Sequence, residues 1–463
     1  MSRPPSLPED GLWRSGPIFS ASNRPLARLI GRPVLAFLRI EAAGGVVLFI
    51  ATVAALLLAN SGWSDWYESV WATEVELTVG SFHLAEDLRH WVNDALMAVF
   101  FLVVGLEIKY EIVNGQLRDP RSAAVPIAAA LGGMAVPALI YTAFNAGGPG
   151  SPGWGVPMAT DIAFAVGVMA LLGRGVPASA RVFLLTLAIA DDIGAIAVIA
   201  LFYSRDLALD WLLAAAVGVL AILALRVLRV WTLPPYLLVG AAVWLATYES
   251  GVHATIAGVV LGLLAPARPL LNQERARELL RTSGPERFDV TEWRRYRFVI
   301  GESVSVAERL QHTLHPWSSF LVLPVFALAN AGIDVRGGVL SAAADSPVTV
   351  GVALGLVVGK IAGITLTSWL VVRLGLGRLP AGMRWFTLVG LAALAGIGFT
   401  VALFIAGLAF PDAPALAADA KVGILAGSVL AAVAGAVLLR VDAARRTAAT
   451  RRPASVEAVA GRA

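Results

Sequence analysis

The chain has 463 residues, is 58% hydrophobic and only 15% charged, and has a mean hydropathy of +0.75. Soluble domains carry nearer a quarter charged residues, so this composition belongs to a polytopic membrane protein. There is no cysteine, which excludes disulfides, thiol catalysis and thiolate metal sites, and the five histidines are too scattered to suggest a metal cluster. A net charge of +4 and a pI near 9.6 fit basic loops that orient membrane helices, not a nucleic-acid partner.

In chain order, residues 1–38 read as a flexible, basic cytoplasmic tail. No apolar segment precedes Ala42, so no cleavable signal peptide is expected. A transmembrane domain is expected over 39–440, with apolar runs at about 41–59, 91–113, 122–144, 154–173, 178–203, 208–227, 233–249, 251–266, 316–333, 348–374, 386–410 and 418–440. These are twelve candidate spans, and the pair around Ser250 and Gly251 is hard to divide. Loop charge alternates: Arg24, Arg28 and Arg32 precede the first span, Arg118 and Arg121 follow the second, Arg174 and Arg181 the fourth, and Arg226 and Arg229 the sixth. Arg373, Arg378 and Arg384 follow the tenth and Arg440, Arg445 and Arg446 the last, while the other loops are poor in Lys and Arg. By the positive-inside rule both termini are cytoplasmic and the span count is even. Residues 441–463 read as a disordered basic tail.

Two loops stand apart. Residues 74–84, EVELTVGSFHL, alternate polar and apolar about a Gly-Ser turn, which predicts a short β-hairpin outside the membrane. Residues 268–315 form a long, charged cytoplasmic loop with a WRRYR cluster at 293–297. It is too short for a core of its own, so a membrane-surface helix or a partly disordered insert is expected.

The chemistry lies inside the apolar runs. Asp191 and Asp192 sit in VFLLTLAIADDIGAIAVIALFY, a stretch long enough to cross about 30 Å of hydrocarbon as a helix. An aspartate at the centre of such a helix costs about 2.5–3.5 kcal/mol on insertion scales, so the pair implies a wet cavity or a partner, and hence a proton or cation site. In GWGVPMATDIAFAVGVMALLG, Gly155 and Pro157 lead into Thr160 and Asp161, which suggests a helix interrupted at mid-depth. Span eleven has a similar weak point at Gly396, Gly398 and Thr400. Paired interrupted spans in corresponding places are a feature of membrane transport sites. Lys360 lies near the middle of span ten, too deep to reach the headgroups easily, and needs a buried counter-charge. Asp191 and Asp192 are about 100° apart on a helix, so one can face the lysine and the other a cavity. Asp94 and Glu107 bracket span two, Glu107 and Glu111 share a face at its cytoplasmic end, His253 lies at a membrane boundary, and His312 and His315 stand near the entry to span nine. No GxxxxGK[ST] motif is present, which argues against an ATP-driven pump.

The segments WVNDALMAVFFLVVGLEIKYE, ATDIAFAVG, LAIADDIGAIAVIALFY, SGVHATIAG, GKIAGI and GIGFT, in this order over about residues 38–440, resemble the NhaA-type sodium/proton antiporters. The resemblance implies an all-α polytopic membrane protein with twelve transmembrane helices. It implies an inverted repeat of spans three to five and ten to twelve, with crossed broken helices at spans four and eleven. Matched motif by motif, Asp191 and Asp192 correspond to the family's paired acids, Asp161 and Thr160 to the broken-helix acid and its neighbour, and Lys360 to its membrane lysine. Glu107 then lines the cytoplasmic funnel, Asp94 is a second acid of span two, and His253 and His312 belong to the pH response. The chain departs from the pattern at Gln311, where the family often has a glutamate, and its loop before span nine is longer than in the common form.

The function implied is secondary active exchange of Na⁺ or Li⁺ for protons across a bacterial cytoplasmic membrane, electrogenic and pH-regulated, by a transporter and not an enzyme. Asp192, Asp161 and Thr160 would bind the transported Na⁺, and Lys360 would pair with Asp191 as a proton switch. No cofactor is implied beyond the transported ions, and membrane lipid is the expected surround. A homodimer is expected through the 74–84 hairpin. Two rivals remain at this level: a sodium-coupled symporter of an organic anion, and a cation channel.

Overall fold

In the computed structural model, residues 43–460 are described, apart from 80–81, 205, 229, 231–232, 283–288 and 337. The tail expected over 1–38 lies outside the described residues. From the N-terminus, α1 (Ala43–Ala59) turns by 117° into α2 (Ser64–Trp71). Strands β1 (Glu74–Val79) and β2 (Phe82–Asp87) then pair antiparallel, Glu74 opposite Asp87 and Val79 opposite Phe82, as the alternation about the Gly-Ser turn predicts. The root of this hairpin is fastened to the helices, since Trp91 Nε1 donates to the Val75 carbonyl at 3.2 Å and the Tyr248 hydroxyl bonds Glu86.

A short helix (Leu88–Trp91) and a π turn (Val92–Leu96) lead into α3 (Met97–Val113). Asp119 caps α4 (Pro120–Asn145), whose first residue is a proline, where a missing N–H costs nothing. A 3₁₀ segment (Ser151–Met158) precedes α5 (Ile162–Leu171), followed by α6 (Ala178–Phe202), α7 (Leu209–Val227), α8 (Leu233–Glu249) and α9 (Thr255–Leu264). Gly251, at a φ of +77°, makes the turn that divides α8 from α9. The loop over 268–315 is largely helical: α10 (Gln273–Thr282), α11 (Val290–Glu302) and α12 (Val306–Trp317). A π turn (Ser318–Val322) joins α12 to α13 (Leu323–Asn330). Then come α14 (Pro347–Leu354), a third π turn (Gly355–Gly359), α15 (Lys360–Arg373), α16 (Trp385–Ala395), α17 (Phe399–Ala409) and α18 (Pro414–Ala460). The last helix runs through most of 441–463, the segment expected as a disordered tail, because its alanines and arginines are strong helix formers.

Six stretches are long and apolar enough to cross a membrane among the described residues: 120–145, 151–171, 178–202, 209–227, 347–373 and 414–446. Counting the bent pairs α1–α2 and α16–α17 as one span each raises this to eight, against the twelve runs read from hydropathy. The difference has a physical source. Breaks and π turns divide apolar stretches into helices shorter than a hydrocarbon core requires, as in α3, α13 and α9.

Helices approach through small residues, as lipid-embedded helices do. In α4 and α15, a Cβ on Gly132 would strike the Gly363 carbonyl, and a Cβ on Gly363 the Gly132 carbonyl. One residue on, a Cβ at Gly133 would press on Ile364 Cγ1 at 2.9 Å, so the bare backbone there makes room for Ile364 of α15. The glycines of the third π turn do the same for prolines: Gly355 lies against Pro157 and Gly359 against Pro137. Together these contacts set the depth and rotation at which Lys360 begins α15.

This packing is testable. Gly363→Val should cost about 1–3 kcal/mol by overpacking and lower the melting temperature in detergent. Gly407→Ala, where no atom lies within 4 Å of the added Cβ, should stay within about 0.5 kcal/mol of wild type. Equal melting curves for both variants would contradict the close approach of α4 and α15.

Candidate functional site

The site is built where two interrupted helices touch. After the 3₁₀ segment, Ala159 and Asp161 are extended before α5 begins. Gly396 and Gly398 lie between α16 and α17, whose axes differ by 46°. Each break leaves backbone groups without helical partners, and the two breaks supply some of them to each other. The Asp161 N–H donates to the Ile397 carbonyl at 2.5 Å, and the Thr160 hydroxyl donates to the Ala395 carbonyl at 2.8 Å.

Asp161 joins the halves. Its Oδ1 accepts the Phe164 N–H at 3.0 Å and caps α5. Its Oδ2 accepts the Thr400 N–H at 3.0 Å and the Thr400 hydroxyl at 2.6 Å, in the first turn of α17. One carboxylate therefore sits at the positive ends of two helix dipoles, an arrangement that favours negative charge.

The two acids of α6 diverge as their angular separation requires. Asp191 Oδ2 lies 2.8 Å from Lys360 Nζ, and both side chains are 1% exposed. The same ammonium donates to Thr160 Oγ1 at 2.9 Å and to the Met158 carbonyl, so its three donors are all used. Asp191 Oδ1 is buried without a hydrogen bond among the described residues. Asp192 instead faces a cavity of about 540 Å³ whose lining includes Glu107, Thr160, Asp161, Thr400 and His315. Among the described residues no three acids or histidines gather as a resident metal site would. Two carboxylates and a hydroxyl make a set of hard oxygen donors, suited to an alkali cation that arrives and leaves as cargo.

The structure thus brings Asp161, Thr160, Asp191, Asp192, Lys360, Thr400 and Glu107 to one place, with Gly396 and Gly398 at the adjoining break. Three other candidates lie elsewhere. Asp94 is in the π turn before α3, where its carbonyl accepts Trp244 Nε1 at 3.0 Å. The His253 ring nitrogen sits 2.8 Å from the Tyr203 carbonyl, between α8 and α9. His312 is exposed on α12, and His315, three residues on, lines the cavity in its place. Gln311 is beside Glu107, so the departure from the family pattern falls next to the cavity. Backbone carbonyls of Met158, Ala395 and Ile397 are part of the site that residue identity does not disclose. Only the glycines and proline around them signal that carbonyls come free there.

The profile of the family described as Na⁺/H⁺ antiporter 1 matches residues 35–439. The chain is 50% identical over 426 residues to a Na⁺/H⁺ antiporter NhaA of Rhodopirellula baltica, covering 90% of this chain and 95% of that one. It is 51% identical to a Na⁺/H⁺ antiporter NhaA 3 of Frankia alni, covering 88% of each, and 49% identical to a Na⁺/H⁺ antiporter NhaA of an Anaeromyxobacter species, covering 90% of this chain and 93% of that one.

The buried pair yields a stability test. Lys360→Ala leaves the Asp191 carboxylate buried without its partner, a change that costs about 3–5 kcal/mol unless the acid takes up a proton. The double variant Asp191→Asn with Lys360→Gln should melt closer to wild type than Lys360→Ala or Asp191→Asn alone. Additive losses in the double variant would show that the two side chains do not depend on each other.

Proposed function

The chain belongs to the Na⁺/H⁺ antiporter 1 family, and on that footing we propose that it exchanges Na⁺ or Li⁺ for protons at the cavity between α3, α5 and α6. One observation carries this reading. Asp192 opens onto a cavity with Asp161 and Glu107, while Asp161 is held by both helix breaks and Asp191 is held by Lys360. A cavity lined by three carboxylates attracts cations. An organic anion would meet no basic side chain in that lining except His315, which disfavours symport of an anion.

The exchange follows from competition for the same oxygens. Na⁺ binds the carboxylates of Asp192 and Asp161 with the Thr160 hydroxyl and water, and protons bind those carboxylates instead. An empty, doubly charged site is costly to enclose in a low dielectric; a site loaded with Na⁺ or protonated is less so. Only loaded forms then cross between the two faces, which couples the fluxes without ATP. Lys360 and Asp191 act as the proton switch: when their pair opens, the lysine gives up a proton, so more than one proton crosses per Na⁺ and transport responds to voltage.

The architecture we propose has twelve spans. The bent pair α16–α17 and the interrupted pair of the 3₁₀ segment with α5 are the crossed broken spans of an inverted repeat, supported by the mutual hydrogen bonds of their breaks. The protein lies in a bacterial cytoplasmic membrane with both termini in the cytoplasm, supported by the arginine-rich loops after the even-numbered spans. Glu107 and His315 at the cavity, and beyond it His253, His312 and Asp94, are proposed to serve the response to pH.

The assignment of Asp192 is tested by Asp192→Asn. Calorimetry on the purified, folded variant should show no Na⁺ or Li⁺ binding, while Asp94→Asn, outside the cavity, keeps it. Undiminished Na⁺ affinity in Asp192→Asn would remove the acid from the site. A homodimer is proposed through an exposed edge of the β1–β2 hairpin. Deleting residues 74–84 should halve the protein mass measured in detergent, and an unaltered dimer would place the interface elsewhere.

A further inference from the structure

We infer that α11 is a docking surface for the anionic lipid headgroups of the leaflet it faces. The inference rests on the membrane placement proposed above, though not on which ions are exchanged.

The helix has two unlike sides. Glu292, Tyr296, Val299 and Glu302, spaced four, three and three residues apart, form the side turned toward the protein, and Val299 and Glu302 are buried. The opposite arc carries Val290, Trp293, Arg294, Arg297, Phe298 and Ile300, all exposed. Four of its large apolar side chains are more than half exposed: Val290 at 65%, Trp293 at 55%, Phe298 at 52% and Ile300 at 54%. An exposed apolar cluster on that scale marks an interaction surface more often than ordinary solvated helix.

Composition says what covers it. A tryptophan, a phenylalanine and an isoleucine interleaved with arginines suit the boundary between headgroups and acyl chains, where rings sit at headgroup level and guanidinium groups meet phosphate. Arg297 lies over the Trp293 ring at 5.2 Å, so cation and ring present themselves together. Arg295 leans toward Glu292 at 3.9 Å, while Arg294 and Arg297 meet no carboxylate among the described residues. A basic partner protein would be repelled by this face, and a wholly polar acidic one would leave the tryptophan and isoleucine without an apolar environment. Anionic lipid satisfies both.

Position supports the same occupant. The 268–315 segment leaves α9 and returns through α12 to α13, and its ends are tied together. Ala307 N–H donates to the Pro266 carbonyl at 3.0 Å, and Leu271 N–H to the Glu302 carbonyl at 2.9 Å. Arg309 adds an ion pair to Glu302 at 3.4 Å. The C-terminal end of α11 is therefore held beside the end of the apolar helix α9 and the start of α12, which leads on to the apolar α13.

The absence of native cysteine allows a direct test on the full chain. Trp293→Cys and Ile300→Cys, each labelled with an environment-sensitive dye, are reconstituted into vesicles of phosphatidylcholine alone and of phosphatidylcholine with phosphatidylglycerol. The lipids carry a quencher near the headgroup. Each arginine at an anionic surface favours association by about fivefold. Quenching should therefore rise several-fold when phosphatidylglycerol is added, and should lose that dependence when Arg294→Gln and Arg297→Gln are introduced. Quenching that is equal in the two vesicle types, or absent from both, would overturn the inference, the second result pointing to cover by protein. Pairing each variant with Na⁺ calorimetry keeps the outcome separate from the ion site, because lipid docking of α11 stands or falls without a change in Na⁺ binding.

Discussion

The ammonium of Lys360 is the constraint around which the rest is arranged. A lysine buried at this depth is tolerable only if its charge is matched and its donors are filled. Here α6 supplies the Asp191 carboxylate, and the interrupted segment before α5 supplies the Thr160 hydroxyl and the Met158 carbonyl. One side chain thus ties α15 to α6 and to a helix break. Bare glycine backbone in α4 and in the π turn before Lys360 lets α15 and that turn pack closely against α4 and the 3₁₀ segment. Such a pair is poor evidence of stability, since desolvation offsets attraction. In the mechanism proposed above, its value is as a switch that opens when the helices move.

With Lys360 and Asp191 occupied by each other, and Asp161 occupied by Phe164 and Thr400, the charge requirements of the site fall on Asp192. It lines the cavity with Glu107 and makes none of the hydrogen bonds that hold its neighbours. Asp161, Asp191 and Lys360 are tied into the helix breaks and to each other, and Asp192 is the group that opens onto the cavity without such ties.

Much of this was legible in the sequence, for a simple reason. Charges are costly in apolar runs, so Asp161, Asp191, Asp192 and Lys360 stand out by position alone, and the family resemblance then pairs them. The helix interruptions were legible from Gly155, Pro157, Gly396 and Gly398, and the hairpin from alternation about Gly80 and Ser81. What was not legible depends on backbone geometry. Hydropathy counts apolar residues and does not see the π turns at Val92–Leu96, Ser318–Val322 and Gly355–Gly359, which divide helices and rotate side chains. His312 and His315 look equivalent in QHTLHPW, yet three residues along α12 carry only the second to the cavity.

The claim that one set of carboxylates serves both ions is tested most directly by following Na⁺ and proton movement together in proteoliposomes of the wild-type chain. With membrane potential clamped, an outwardly directed Na⁺ gradient alone should drive protons inward, and an imposed proton gradient alone should drive Na⁺ uphill. Changing the clamped potential should change both rates together. Sodium that moves down its gradient with no opposing proton flux would contradict the account.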